Sequence, residues 1–223
     1  MKTIYLVLLI GLMSMGCSAK GSLNYTPPTL SPVSIKAATT KHGVAEVLAA
    51  TAAYAEDNGY ILEPASSAKN SVSFSFGTWE PLEYVDCGIV TSKFTSKYGT
   101  KRDLTTPAAA RGYQLKYVED GQIIDENRTH KLLCTVMVTP RHEGGHTAID
   151  INVRYSLEGS IMRKHHRRLG QTWNSRVVFM SRAPSDATPA RLQCQAKGTL
   201  EKNILAGILA MIPQTKAAAP KKK

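Results

Sequence analysis

A near-continuous apolar run and an alternating run face each other across a short polar gap, and their pairing constrains the fold more than any other feature of the chain. Leu132 to Thr139 is one run and Thr147 to Tyr155 the other. Successive strand side chains point to opposite faces, so Ile149, Ile151, Val153 and Tyr155 share one face, and Asp150, Asn152 and Arg154 the other. The first row needs a core to cover it, and the second is expected to be solvated. A chain organised around such a hairpin is committed to antiparallel sheet.

The rest of the pattern adds helices at both ends. Val44, Val47, Leu48, Thr51 and Tyr54 recur at helical spacing, with Asn58-Gly59 as a stop. Val72, Phe74 and Phe76 alternate with serines, and Val85, Cys87 and Ile89 with Asp86 and Gly88, as in half-buried strands. The polar stretch 92–110 reads as a long irregular connection. Asp120-Gly121, between Tyr113–Tyr117 and Gln122–Ile124, is a hairpin signal, because both residues tolerate positive φ. A further strand is expected over Thr172–Ser181. Leu200, Ile204, Ile208 and Met211 then form the stripe of a closing helix, with Thr199 as its cap, Glu201 near its positive end, and Pro213 ending it. No internal repeat is visible. The predicted fold class is α+β: one domain over 43–213, an antiparallel sheet of five or six strands, and an N-terminal and a C-terminal helix packed on one face. In element order this is similar to helix-grip modules such as those in the C component of the outer-membrane barrel-assembly machinery, a likeness of architecture that carries no site over.

Ahead of the domain, Lys2 and the apolar run Ile4 to Met13 have the plan of an export signal over residues 1–16. At about 1.5 Å per helical residue the apolar run covers roughly half of a ~30 Å hydrocarbon slab, which suits a cleaved signal better than a permanent span. Ser14-Met15-Gly16-Cys17 closes it and resembles the lipobox of bacterial lipoproteins. The resemblance implies cleavage before Cys17, a diacylglyceryl group on its thiol and a further acyl chain such as palmitate on its amine. Two or three chains hold a protein durably, at roughly 0.8 kcal/mol per buried CH₂. Ser18 stands where aspartate would favour the inner membrane of Gram-negative cells, which implies the outer membrane, facing the periplasm. Residues 17–42, with Pro27, Pro28 and Pro32, read as a tether, and extended chain at ~3.1 Å per residue would carry the domain several nanometres from the bilayer.

An oxidising periplasm makes a disulfide expected among Cys87, Cys134 and Cys194. Cys134 lies within an apolar strand, where a buried thiol behaves as a small hydrophobe. That leaves Cys87 and Cys194 as the preferred pair, closing a loop of about a hundred residues, worth up to ~4.7 kcal/mol through chain entropy.

The formal net charge of +11 concentrates in Arg163–Arg168 and Lys221–Lys223, and residues 214–223 read as a basic tail. In an envelope the counter-charges are lipid phosphates and lipopolysaccharide, and export argues against nucleic acid as a partner. Arg163, Lys164, Arg167 and Arg168 are the candidate anion-binding residues, by charge-assisted hydrogen bonds to phosphate. His142-Glu143-Gly144-Gly145-His146 matches the formula of a zinc metalloprotease helix, but two internal glycines and flanking strands place it at a hairpin tip, where the histidines share no helical face. No metal site and no cofactor are therefore expected. Neither a nucleophile elbow, a P-loop nor a dinucleotide fingerprint is present. The sequence points to a non-catalytic, lipid-anchored accessory or scaffold subunit with an envelope protein as partner, the alternative being a module that binds anionic lipid or glycan through the basic segment.

Overall fold

The computed structural model describes residues 18–30, 38–64, 70–165, 170–185 and 192–212. The expected signal peptide over 1–16, Cys17, Arg167, Arg168 and the expected basic tail over 214–223 lie outside the described residues. In chain order the strands and helices are β1 (Lys20–Thr26), β2 (Ala38–Thr40), α1 (Val44–Asp57), β3 (Ile61–Leu62), β4 (Val72–Thr78), β5 (Val85–Asp86), β6 (Ile89–Thr95), β7 (Lys101–Pro107), β8 (Gly112–Glu119), β9 (Gln122–Glu143), β10 (His146–His165), β11 (Gln171–Met180), β12 (Gln195–Ala196) and α2 (Thr199–Met211).

The expected central hairpin is present as β9 and β10, and it is far longer than the alternation indicated. Gly144 and Gly145, at φ 54° and 84°, make the turn, a conformation that glycine takes without steric cost. The two strands then stay paired from His146 opposite Glu143 to His165 opposite Ile124. On the far edge of β10 lie β11 and, beside Thr147–Ile149, the short β2. The far edge of β9 changes partner along its length, with β8 pairing over Gln122–Thr129 and β4 over Leu132–Val138. With β3 outside β4, the sheet has seven strands.

The protein is therefore mostly antiparallel sheet with two helices, but the expected single sheet of five or six strands is corrected. A three-stranded sheet β1-β6-β7 and a two-stranded β12-β5 accompany the large one. The difference comes from segments whose inward residues are too sparse to announce a strand. The stretch expected to be irregular over 92–110 is a hairpin, β6 on β7, with Val90, Ser92 and Phe94 buried. Lys20–Thr26, within the expected tether, pairs along its whole length with β6, and Ala38–Thr40 joins β10. In β1 only Leu23 packs on the core, so the strand rests on backbone pairing and on Tyr25, whose hydroxyl donates to the Cys87 carbonyl at 3.1 Å and accepts from the Gln193 amide at 2.9 Å.

Register explains the core. Cys134 lies opposite Tyr155 and Phe76, and Val136 opposite Val153 and Phe74, so these side chains share one face. On that face Tyr60 stacks on Phe74 at 5.4 Å and Phe76 at 4.6 Å and meets Tyr54 of α1 edge-on at 6.1 Å. Tyr155 reaches Glu201 of α2. Further along the hairpin the three-stranded sheet takes over, its Ser92 hydroxyl donating to the Lys116 carbonyl of β8 at 2.6 Å. The row expected to be solvated is partly covered: Ser181 donates to Asn152 Oδ1 at 3.2 Å and Arg182 pairs with Asp150, while Arg154 is exposed.

Cys87 and Cys194 are bonded, joining residues 107 apart beside the β5–β12 ladder, and Cys134 is free and buried, both as the sequence reading has them. Thr199 does not cap α2. Gly198, at φ 75°, takes the capping position without a side-chain bond, and Thr199 is the first helical residue. No helix among the described residues is long and apolar enough to cross a membrane.

Candidate functional site

Arg163 is the only candidate anion-binding residue whose side-chain partners are defined, and it is already committed. Its Nε donates to Glu126 Oε2 at 2.9 Å and its Nη1 to Glu119 Oε2 at 2.9 Å. Its guanidinium also lies 5.4 Å from the Trp173 ring and 5.9 Å from that of Tyr117. Arg163 is therefore a bridging cation of the sheet and not a free fork. Lys164 is exposed, beside it on β10, and Arg167 and Arg168 are outside the described residues. The expected four-residue basic loop thus begins on a strand.

The centre of this network is Glu126, whose side chain is fully buried. It accepts from Arg128 Nε at 2.6 Å, from the Tyr117 hydroxyl at 2.9 Å and from Arg163. Burial pushes its pKa up, but Arg128, with Tyr117 and Arg163, outweighs burial and holds the carboxyl below the ordinary range. These inward polar residues of β9 interrupt the apolar alternation, which is why the sequence shows two short strands where there is one. The arrangement is saturated by its own partners, so it reads as structural.

His142 and His146 stand on either side of the Gly144-Gly145 turn, each on its own strand, as the hairpin reading requires. No group of three or more His, Cys, Asp or Glu among the described residues is placed to hold a metal ion.

A site without a sequence motif lies on the outer face of the large sheet, where the edge of β9 changes partner. β4 ends opposite Leu132 and β8 begins opposite Thr129, and between them the His130 amide donates to the Arg111 carbonyl at 2.8 Å. Trp79, just past β4, is half exposed at 51% there. The Arg111 guanidinium lies 5.9 Å from its ring and the Lys131 ammonium 5.6 Å. Lys131, Glu158 and Arg176 follow in register across β9, β10 and β11, and Thr129, Ser160 and Asn174 form the next row. Together they line a trough of about 450 Å³. A second hollow shares Thr129 and Ser160 and continues past Gln114, Asn127 and Met162.

Most of the charge here is paired. On the wall Arg176 pairs with Glu158 at 3.7 Å and its Nε also donates to Ser156 at 2.8 Å, and beside Trp79 at the head of the trough Arg111 pairs with Glu80 at 3.6 Å. Below the floor, His130 Nδ1 meets the Ala110 carbonyl at 2.9 Å, so it carries the proton, and burial keeps the ring neutral by lowering its pKa. At Gly159 a Cβ would stand 2.6 Å from Ser175 Oγ and 2.9 Å from the His130 ring, so any larger residue would have to displace both side chains. The trough offers an indole face, amides, hydroxyls and paired charges, a set suited to binding. Its one sequence signal is an aromatic at a strand end, and the row across three strands is legible only once register is known. Comparison of the chain with protein-family models, curated proteins and solved structures gives no match.

Proposed function

We propose that the chain is a lipid-anchored protein of the cell envelope, acylated at Cys17 in the outer membrane and facing the periplasm, that works by binding and not by catalysis. It is an accessory or scaffold subunit, and an envelope protein docks on the open face of the seven-stranded sheet. The observation that carries this reading is Trp79, half exposed between Arg111 and Lys131 at the head of the trough. Tryptophan and arginine dominate the binding energy of protein interfaces, where a large flat ring can be desolvated against a partner. The pairing of Arg111 with Glu80 and of Arg176 with Glu158 favours a partner of mixed polarity over a polyanion.

Affinity purification from gently solubilised envelopes tests it. The wild-type chain is expected to bring down a stoichiometric protein partner, and Trp79→Ala to weaken that complex by about 2 kcal/mol, roughly thirtyfold. A partner retained in full by Trp79→Ala, or no partner at all, overturns the docking face. The anchor is tested separately, since Cys17→Ser should abolish the lipid mass and release the protein from membranes.

A further inference from the structure

The start of β1 and the tip of the β6–β7 hairpin meet at one end of the molecule. Lys20 pairs with Thr95, and Thr95 with Lys101, so the beginning of the first strand lies beside the hairpin turn. Only Ser18 and Ala19 separate Cys17 from Lys20, and three Cα steps span at most about 11 Å. A lipid on Cys17 would therefore hold this end of the domain against the bilayer, with no tether of several nanometres between them.

The surface at this end has the composition of a bilayer contact. Tyr98, at the tip of the turn, is 83% exposed, and the Lys97 ammonium lies 4.8 Å from its ring. Lys20, Lys93, Lys97, Lys101 and Arg102 are all exposed around it. The large sheet ends at the same pole. Ser92 bonds to Lys116, and a Cβ on Gly21 would meet the Val118 amide nitrogen at 3.1 Å, so β6 runs alongside β8 toward the Asp120-Gly121 turn. Exposed Lys164, opposite Asp125, lies at that end too. The carboxylates here are Asp103, opposite Lys93, Asp120 at the turn, and Asp125 and Glu119, which pair with Lys116 and Arg163.

We infer that this pole is a second membrane contact, with the β6–β7 hairpin tip seating Tyr98 in the headgroup layer and the surrounding lysines and Arg102 on the phosphates of anionic phospholipid. An exposed tyrosine ring suits the interface, where one end is apolar and the other wet, and the ammonium groups gain most near an anionic surface. The inference rests on the envelope reading and adds orientation to it. Lys131, in the trough row, is nine residues along β9 from Gln122, so the trough stands about 30 Å along the strands from the bilayer end, open to a periplasmic partner.

The test uses the mature, full-length protein in vesicles of phosphatidylcholine alone or with phosphatidylglycerol, with amide exchange of residues 93–102 read by mass spectrometry. Exchange over 96–100 is expected to slow severalfold on the anionic vesicles in low salt. The protection should vanish in high salt and in Lys93→Gln/Lys97→Gln/Lys101→Gln/Arg102→Gln, whose thermal midpoint confirms that it folds. Equal exchange on both vesicle types, with the protein membrane-bound, overturns the contact. Intact mass separates the two claims. If Cys17 carries no lipid, the anchor fails, and sedimentation of the same protein with anionic but not neutral vesicles still supports the pole, while no sedimentation with either overturns it.

Discussion

The Tyr155 hydroxyl donates to Glu201 Oε1 across 2.8 Å, tying the middle of the long hairpin to the first turn of the closing helix. The other carboxylate oxygen, Oε2, is buried with no hydrogen-bond partner among the described residues. Burial raises the Glu201 pKa, and the backbone and Tyr155 hydrogen bonds only partly offset it. Because the folded-state pKa exceeds the unfolded one, the contribution of Glu201 is complete below the unfolded pKa and is lost as pH rises through the folded one. Glu201→Gln is expected to match the wild type in acid and exceed it in mild alkali. The gap should widen by up to about 1.4 kcal/mol per pH unit between the two pKa values. Urea midpoints across that range read the effect, and a gap independent of pH would refute it. Tyr155→Phe should cost about 1 kcal/mol at acid pH.

Glu126 has the opposite dependence. Its carboxyl is also buried, but two guanidinium groups and a phenol face it, and its pKa lies below the ordinary range. A depressed folded-state pKa gives stability that is present above the unfolded value and lost as pH falls through the folded one. Glu126→Gln leaves Arg128 and Arg163 without their shared counter-charge and is expected to lose about 3 kcal/mol at neutral pH, the usual cost of breaking a buried pair. The deficit should shrink as the pH falls below the ordinary glutamate range and through the depressed folded-state pKa, where the wild-type carboxyl protonates. Chemical denaturation at neutral and acid pH distinguishes this from a purely steric loss, which would persist at both.

These two glutamates mark where the sequence was and was not legible. The hairpin of β9 and β10, the Asp120-Gly121 turn, both helices and the pairing of Cys87 with Cys194 follow from periodicity, turn chemistry and elimination. β9 looked like two strands because Glu126, Arg128 and His130 face inward, and their side-chain partners, Arg163 on β10, Tyr117 on β8 and the Ala110 carbonyl before β8, come from elsewhere in the chain. Likewise β1 and β7 are held by backbone pairing on nearly polar segments, a signal that local alternation does not carry. The trough escaped notice for a related reason: Lys131, Glu158 and Arg176 become a row only through register across three strands, with Trp79 beside them just past β4.

The cysteines should respond in two distinct ways. Cys87 and Cys194 close a loop of 107 residues and join the end of β5 to the start of β12. Cys87→Ala/Cys194→Ala is expected to lose about 2–4 kcal/mol, the usual range for a native bridge over a long loop. Cys134 is 1% exposed, and burial pushes its thiol up to about 12. The thiolate is the nucleophile that attacks thiol reagents, so Cys134 should stay unmodified in the native protein at neutral pH and react once the chain unfolds. Rapid native labelling of Cys134, read by peptide mass spectrometry, would contradict this packing.

The contact between the helices depends on a missing side chain. At Gly207 of α2 an added Cβ would stand 2.0 Å from Cε2 of Tyr54 on α1 and 2.6 Å from its Cδ2, so the ring occupies the space above the helix backbone. Helix propensity alone would favour Gly207→Ala by about 1 kcal/mol. The clash acts the other way, because Tyr54 is held from behind by Tyr60, which stacks in turn on Phe74 and Phe76. Overpacking of this kind typically costs about 1–3 kcal/mol, so the net effect is expected to be destabilising by about 1 kcal/mol. Tyr54→Leu/Gly207→Ala should recover part of that loss by freeing the space while keeping an apolar contact. Thermal unfolding of the two single variants and the double variant forms a complete cycle. Strictly additive losses would mean that the two residues do not meet as described, whereas a double variant more stable than the sum of its parts locates the strain at this helix crossing.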